Sequence, residues 1–225
     1  MIVMAKRLLL VRHASTGPEY AGRYVGSTDV PLSAEGLRQA EGLASLVRRS
    51  KKYTPLRSRL LKGDQPCMSI LRIITSPLRR ARQTGETLAG VVPVEVDADL
   101  REIDFGKWEG RTFDQIAVSD PQLVDRWANY DSEFAFPGGE STQHFLERVH
   151  RVADRMAADP AENVLAVTHG GVIRAIICYL LGLPSRNYLL FDVKPASLTT
   201  IELIDGKGVL TGLNDLCHLE GLEDG

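Results

Sequence analysis

Apolar runs of strand length alternate along the chain with longer stretches that repeat apolar residues at helical spacing. The strand-type runs lie at 7–11, 70–76, 92–100 and 163–169. The stretches with helical spacing lie at 31–50, 77–90, 140–159 and 172–182. Since short apolar runs bounded by polar residues are typical of buried strands, this alternation predicts a parallel sheet covered by helices on both faces.

The C-terminal part of the chain has a different pattern, a strand, an Asp-Gly pair and a second strand within 197–212. An Asp-Gly pair between two strand-type runs is typical of a β-hairpin, so an antiparallel addition to the sheet is expected here. The predicted fold is therefore α/β, a three-layer α/β/α sandwich with a mainly parallel, mixed sheet. No linker or repeat divides the 225 residues, and a single domain over 1–225 is expected.

Residues that favour helix ends place two of the predicted helices more closely. Ser33 is the predicted N-cap of the first helix, whose apolar face is expected to carry Leu37, Ala40, Ala44 and Val47. Ser76 is the predicted N-cap of the second helix, with Pro77 in its first position. The segments 51–69 and 101–140 lack a clean period, and both are interpreted as irregular.

Composition limits the classes of function. With 44% hydrophobic and 25% charged residues and a net charge of −2, the chain lacks the basic excess of a nucleic-acid-binding domain. The three cysteines have no metal-type spacing and are interpreted as reduced thiols, which favours a cytoplasmic location. The N-terminal residues do not resemble a signal peptide, and the longest apolar stretch is too short to span a bilayer, so no membrane association is expected.

Two of the predicted strands end in histidine, one at His13 and the other at His169. In open parallel sheets the ligand crevice lies beyond the carboxyl ends of the strands. The two imidazoles are therefore expected to meet at one edge of the sheet, although they lie far apart in the chain. A single strand-end histidine is more often structural, and only the combination with nearby cations favours a site.

The predicted helix after the strand-type run at 70–76 begins with two cations, Arg79 and Arg80. Cations in the first turn oppose the helix dipole, and this arrangement makes sense if an anion binds there. Gly170 and Gly171 follow His169 and could let a ligand approach the backbone at the start of another helix. The arginine pair could also be an ordinary solvated face, but together these features favour an anion site.

Other chemistries lack their sequence patterns. The segment CMSILR places four residues between cysteine and arginine, where a cysteine phosphatase needs five. The segment GGESTQ lacks the final glycine of a nucleophile elbow, and no phosphate-binding P-loop pattern occurs. A zinc site built from His13, His169 and a carboxylate has no supporting zinc motif.

Several separated motifs resemble those of the histidine phosphatase superfamily, the phosphoglycerate mutase-like fold. They are LVRHAST, GSTDVPLSAEGLRQA, TSPLRRARQT, LREIDFGKWEGRTFDQI, PGGES and VTHGGVIRA, and they occur in the order expected of that family. The resemblance spans roughly residues 7–200. Such agreement among several motifs is far more specific than any single short pattern.

The resemblance implies a role for five residues of this chain. His13 corresponds to the nucleophile that is transiently phosphorylated on nitrogen. Arg12 and Arg80 correspond to the groups that bind the phosphoryl oxygens, and His169 completes that pocket. Glu102 takes the place of the general acid. The two arginines, and His169 if protonated, are expected to disfavour the protonated form of His13 and so keep its lone pair free.

The resemblance also implies which neighbouring groups line the pocket and which cofactors are absent. Thr16 and Gly170 are expected to contribute to substrate binding. No metal ion or other cofactor is expected, since the arginines supply the positive charge. One position departs from the family pattern, because Ala14 stands where glycine is usual. Ala14 must therefore have an ordinary backbone conformation if the mechanism holds.

The motif variants around 102–111 and PGGES resemble phosphatase members, particularly α-ribazole phosphatases, more than glycolytic mutases. The expected activity is metal-independent hydrolysis of a small phosphomonoester such as α-ribazole 5'-phosphate. A mutase-type phosphotransferase and a non-catalytic phosphoryl-binding module are the alternatives. Cap-like insertions around 51–69 and 111–140 are expected to select the leaving group. The partner is the small-molecule substrate, and the C-terminal strand pair could support a homodimer.

Overall fold

A computed structural model describes residues 6–49 and 71–220 and shows a six-stranded sheet between two layers of helices. The strands are β1 (Lys6–Arg12), β2 (Leu71–Thr75), β3 (Val94–Val96), β4 (Asn163–Thr168), β5 (Leu198–Ile204) and β6 (Lys207–Asp215). The α-helices are α1 (Ala34–Arg49), α2 (Arg79–Ala89), α3 (Phe113–Ser119), α4 (Pro121–Ala128), α5 (Thr142–Ala158) and α6 (Gly170–Leu180).

The strand order across the sheet is β3-β2-β4-β1-β5-β6, and the first four strands are parallel. β5 pairs antiparallel with β1, and β6 pairs antiparallel with β5. The predicted mixed, mainly parallel sheet is confirmed. The order makes β2, β4 and β1 immediate neighbours, so their carboxyl ends lie side by side at one edge.

The apolar residues of the central strands alternate between two cores. Leu8 and Leu10 belong to the core that α5 and α6 cover. Leu9 and Val11 belong to the opposite core, which α1 and α2 cover. Successive side chains on a strand point to opposite faces, and a strand buried on both faces therefore reads as a continuous apolar run. The predicted three-layer α/β/α sandwich is confirmed.

The predicted start is confirmed for one helix and wrong for another. Ser33 caps α1 as predicted, with its Oγ accepting a 3.0 Å hydrogen bond from the N–H of Gly36. The start predicted at Ser76 and Pro77 is wrong, because α2 begins at Arg79 after Leu78. The physical reason is that the Ser76 hydroxyl lies 2.8 Å from a ring nitrogen of His169, the residue after β4, and does not cap the helix.

The apolar face of α1 is also shifted from its predicted position. Ala40, Ala44 and Val47 are buried, but Leu37 is 44% exposed. Leu43 is buried in its place. At helical spacing the buried face is centred between Ala40 and Val47, which leaves Leu37 at its border.

The region 101–140 is more regular than the sequence pattern indicated, because it contains α3 and α4. Thr112 and Gln115 form a reciprocal capping box at the start of α3. Pro121 occupies the first turn of α4. These helices span 7 and 8 residues, too few for a clear helical period to stand out in the sequence.

The C-terminal hairpin is confirmed, with Asp205 and Gly206 at φ values of 50° and 76° in its turn. β6 is an outer strand of the sheet, and the homodimer stays a prediction. The cap assigned to 51–69, and Cys67, lie outside the described residues. Within 6–49 and 71–220, no helix combines the length and apolar character needed to cross a membrane.

Candidate active site

The two strand-end histidines meet at the carboxyl edge of the sheet. β1 and β4 are neighbours with Arg12 opposite Thr168, and the N–H of His13 donates a 2.9 Å hydrogen bond to the carbonyl of Thr168. The ring centroids of His13 and His169 lie 5.1 Å apart. The predicted convergence of the two imidazoles is therefore confirmed.

The His13 ring is held by the backbone of the next residue. Its Nδ1 lies 2.8 Å from the carbonyl oxygen of Ala14, and the N–H of Ala14 donates a 3.1 Å hydrogen bond to Thr84 Oγ1. A carbonyl can only accept, so Nδ1 carries the proton and Nε2 keeps a lone pair in the neutral ring. Ala14 is buried, and its φ is not positive. Alanine can therefore stand where the family pattern has glycine.

Two guanidinium groups approach the histidines from different elements. Arg12, at the end of β1, donates a 2.6 Å hydrogen bond to the carbonyl of Val193. Arg80, in the first turn of α2, is 1% exposed and donates to carbonyl groups of the segment 25–28. Acceptors on the protein side hold both groups in place, which leaves them available to an anion in the cavity.

Only one member of the Arg79–Arg80 pair reaches the site. Arg79 is exposed, and its backbone N–H donates a 2.7 Å hydrogen bond to Asp29 Oδ1, which helps satisfy the start of α2. The choice of Arg80 as the inward arginine agrees with its placement. A residue in the N1 position of a short helix points away from the cavity here, and its neighbour points into it.

Burial and positive charge act together on both imidazoles. Burial lowers the pKa of His13 well below its ordinary value, and the charges of Arg80 and Arg12 lower it further. Burial is also the main cause that lowers the pKa of His169, followed by Arg80 and His13. The expectation of a neutral His13 is supported, and the same causes favour the neutral form of His169, because two guanidinium groups stand beside a ring that is fully buried.

His169 lies between β4 and α6, where it is the N-cap residue of the helix. Its Nε2 lies 2.8 Å from Ser76 Oγ, while its buried Nδ1 has no hydrogen-bond partner among the described residues. An imidazole without a partner on one nitrogen is costly to bury unless a ligand supplies that partner. His169 itself does not line the cavity, and its predicted role in the phosphoryl pocket stays a prediction.

Glu102 extends to the N-terminus of α6. Its Oε2 accepts a 3.0 Å hydrogen bond from the N–H of Gly171, and its Oε1 accepts one of 3.1 Å from Ile103. A Cβ atom on Gly171 would stand 2.5 Å from Glu102 Oε1, and one on Gly170 would lie 3.5 Å from the guanidinium of Arg12. The glycine pair thus makes room for two site side chains, and close approach of a ligand there stays a prediction.

A buried ion pair that sequence reasoning missed contacts the backbone of Glu102. Arg148, 1% exposed, donates to both carboxylate oxygens of Glu140 at 2.7 and 2.8 Å. The same guanidinium donates to the carbonyls of Asp99, Arg101 and Glu102. Glu140, the glutamate of the PGGES motif, was the sequence signal for this ion pair. A buried carboxylate needs a charged partner.

The site opens into a cavity of about 650 Å³. Thr16 and Gly170 line it together with four of the five residues assigned chemical roles, Arg12, His13, Arg80 and Glu102. An aromatic wall lies farther out, formed by Tyr24, Phe105, Trp127, Tyr130 and Tyr188. Trp127 and Tyr130 come from the region 111–140, where the sequence showed scattered aromatic residues without a period.

No group of three or more histidine, cysteine or acidic side chains suited to hold a metal ion occurs within the part of the chain that the structure describes. Of the cysteines there, Cys178 is buried and Cys217 exposed, and both are free thiols. The chemical roles of the site residues stay predictions at this point.

Comparisons with known proteins agree with this geometry. The family model of the histidine phosphatase superfamily (branch 1) matches residues 8–216. The chain is 32% identical over 212 residues to an adenosylcobalamin/alpha-ribazole phosphatase of Salmonella typhimurium, covering 92% of this chain and 96% of that protein. It is 30% identical over 216 residues to phosphoserine phosphatase 1 of Hydrogenobacter thermophilus, covering 95% and 94%.

The fold comparison gives the same result. The crystal structure of the alpha-ribazole phosphatase from Shigella flexneri matches with a TM-score of 0.76 at 28% identity, covering 93% of this chain and 96% of that one. The family match spans both strand-end histidines and every predicted site residue. The chain therefore belongs to the histidine phosphatase superfamily (branch 1) and is a phosphatase.

Proposed function

We propose that the protein hydrolyses phosphomonoesters without a metal ion, through a phosphohistidine formed on Nε2 of His13. One observation carries this proposal, a neutral imidazole whose Nδ1 is tied to the carbonyl of Ala14 beside the guanidinium groups of Arg12 and Arg80. A phosphate monoester dianion repels nucleophiles, so an uncharged nucleophile surrounded by fixed cations suits this chemistry.

In the first step Arg12, Arg80 and the unpartnered Nδ1–H of His169 bind the phosphoryl oxygens. The lone pair on Nε2 of His13 attacks phosphorus in line with the leaving oxygen. The N–P bond forms as the P–O bond to the alcohol breaks. Glu102, in its protonated form, gives its proton to the leaving oxygen and becomes a carboxylate.

In the second step water attacks the phosphohistidine from the side that the alcohol has left. The Glu102 carboxylate accepts a proton from that water as the new P–O bond forms and the N–P bond breaks. Orthophosphate leaves, and His13 returns to its neutral state. Glu102 thereby regains the proton that it gave to the leaving oxygen, which closes the cycle.

The substrate class that the cavity favours is a phosphomonoester with a planar ring in its leaving group, such as α-ribazole 5'-phosphate. A cavity of about 650 Å³ lies in the range that drug-sized ligands fill, and a phosphoamino acid would occupy little of it. The aromatic wall of Trp127, Tyr130 and Tyr188 suits stacking against a ring. The Salmonella relative carries the α-ribazole name, which supports the same choice.

The test is turnover of p-nitrophenyl phosphate with and without EDTA, in the wild type and in His13→Ala. Activity that survives the chelator, an alkali-stable phosphohistidine in quenched enzyme and no turnover in His13→Ala are the expected results. His144→Ala, which removes an exposed imidazole outside the cavity, is the matched control. Loss of activity in EDTA, or substantial turnover by folded His13→Ala, would refute the proposal.

A panel of esters then tests the substrate class. The highest kcat/KM is expected for α-ribazole 5'-phosphate, ahead of phosphoserine and 3-phosphoglycerate. Conversion of 3-phosphoglycerate to its 2-isomer faster than orthophosphate release would identify a mutase instead. Preference for phosphoserine over the ring-bearing esters would refute the proposed substrate while leaving the hydrolytic mechanism intact.

A further inference from the structure

Glu109 is a half-buried residue with no assigned role. Its carboxylate accepts hydrogen bonds from the backbone of a loop that is distant in the sequence. The N–H groups of Gly26 and Ser27 donate to Oε1 at 3.0 and 2.9 Å, and that of Thr28 donates to Oε2 at 3.3 Å. The Thr28 hydroxyl adds a 2.6 Å hydrogen bond to Oε2. Three successive N–H groups that converge on one anion form a compact backbone nest.

The opposite side of the same loop holds Arg80. The carbonyls of Gly26 and Thr28 each accept a 2.8 Å hydrogen bond from its guanidinium, and the carbonyl of Val25 accepts one of 3.2 Å. Residues 25–28, called here the 25–28 loop, thus donate three N–H groups to Glu109 and offer three carbonyls to Arg80. The loop connects the two side chains through its peptide groups.

The 25–28 loop packs closely against its support at Gly26. Gly26 is buried, and a Cβ atom there would overlap the carbonyl oxygen of Ile103 and stand 2.6 Å from Glu109 Oε1. Ser27 and Thr28 are exposed, and their hydrogen bonds go mainly to Glu109, with one of 2.9 Å from the Ser27 hydroxyl to Asp104 Oδ1. Without the Glu109 anchor the carbonyls that orient Arg80 are free to turn away.

We propose that Glu109 is a positioning residue, which fixes the 25–28 loop so that its carbonyls hold the Arg80 guanidinium in phosphoryl-binding geometry. The inference rests on the proposed function, since it adds a residue to the same phosphoryl pocket. N–H donation to an anion polarises each peptide group and makes its carbonyl a stronger acceptor. Glu109 therefore both places and strengthens the acceptors that Arg80 uses.

The negative charge of Glu109 also acts directly on a bound phosphate, and this effect opposes the benefit of positioning Arg80. Its negative charge favours the protonated guanidinium, raising the pKa of Arg80 against the lowering that burial causes. By itself, however, a negative charge near the pocket repels a phosphate ion. Neutralising Glu109 should therefore tighten phosphate binding if the carboxylate acts only as a charge, and weaken it if the carboxylate positions Arg80. The two roles predict opposite signs.

The experiment measures the dissociation constant of orthophosphate by isothermal titration in the wild type, Glu109→Gln, Arg80→Ala and the double variant. Gln keeps the shape of Glu but turns an amide donor toward backbone donors, and a rise of about tenfold in the dissociation constant is expected. In the Arg80→Ala background the same substitution should add no further rise. Glu41→Gln, an exposed glutamate on α1, is the matched control and should leave binding unchanged.

Unchanged or tighter orthophosphate binding by folded Glu109→Gln would overturn the inference, and so would an equal loss in the Arg80→Ala background. If Glu109→Gln does not fold, Thr28→Val decides, because it removes only the 2.6 Å hydroxyl contact of an exposed residue. About a threefold weaker binding is expected there, and unchanged binding would overturn the inference. Wild-type binding of orthophosphate without ester turnover would refute the hydrolytic function alone.

Discussion

Glu102 is joined to the first turn of α6 by the 3.0 Å hydrogen bond that its Oε2 accepts from the backbone N–H of Gly171. The added methyl group of Gly171→Ala would stand 2.5 Å from Glu102 Oε1 and displace the carboxylate. Esters with poor leaving groups need the proton from Glu102, whereas p-nitrophenolate leaves without it. We therefore expect kcat/KM, which reports formation of the phosphohistidine, to fall about 100-fold for an alkyl phosphate and far less for p-nitrophenyl phosphate.

The control for that prediction is Gly85→Ala on α2, where a Cβ atom would meet Thr75 at an ordinary 3.5 Å. It should change both activities equally or leave them unaltered. Equal losses for the two esters in Gly171→Ala would contradict the assignment of Glu102 as the general acid.

Stability should decline in mildly acidic solution because of the two buried imidazoles. The pKa values of His13 and His169 lie well below 6.5, so the unfolded chain binds protons more tightly than the folded protein does. Their contribution is complete above pH 6.5 and decreases as the pH falls below that value, by at most about 1.4 kcal/mol per pH unit for each imidazole. Urea unfolding between pH 5 and 7.5 measures the slope.

Replacing one imidazole separates its share of this slope from that of other groups. His169→Gln should give a clearly flatter dependence of the free energy of unfolding on pH. Val118→Ala, at a residue that is 85% exposed and does not titrate, should leave the slope as it is. A wild-type stability that is flat from pH 5 to 6.5 would show that the imidazoles are not buried in their neutral forms.

The Arg148–Glu140 pair should contribute strongly to stability. Arg148→Met keeps the aliphatic stem but leaves the Glu140 carboxylate buried without its partner and three backbone carbonyls without a donor. We expect the free energy of unfolding to drop by about 3–5 kcal/mol. Arg151→Met, which breaks an exposed pair with Asp99, should cost less than about 1 kcal/mol. Similar costs for both variants would contradict this difference between buried and exposed pairs.

The aromatic wall should select the leaving group. Trp127→Ala removes one face of the wall, and we expect KM to rise about tenfold for a ring-bearing ester such as α-ribazole 5'-phosphate. KM for phosphoserine should change little, because its leaving group has no ring to stack against the wall. Tyr179→Ala removes an aromatic ring outside the cavity lining and serves as the control. An equal rise for both esters would indicate general damage to the pocket.

The central part of the site was predictable from the sequence because each of its residues ends or begins a strongly patterned element. His13 and His169 follow fully apolar runs, and Arg80 follows a third. The rule that parallel strands present their carboxyl ends at one edge then brings these groups together. The fold class followed from the same alternation of elements.

The remaining part of the site depends on tertiary contacts that leave little trace in the sequence. Ser76 resembled a helix cap, but its hydroxyl is engaged by His169 from another strand. The neutral state of His169 follows from burial and from two guanidinium groups that only the folded chain assembles. The roles of Arg148 and Glu109 depend on backbone carbonyls and N–H groups, which every residue possesses and no motif reveals.

The adjacency of β2, β4 and β1 couples ligand recognition to completion of the fold. Each of these strands leads into one part of the anion pocket, and the last of them to appear in the chain, β4, lies between the other two. No intermediate that lacks β4 can contain the pocket, so orthophosphate discriminates between finished and unfinished molecules. Selective binding to the native state raises its melting temperature by mass action, and a thermal shift with orthophosphate thereby shows that the pocket has assembled.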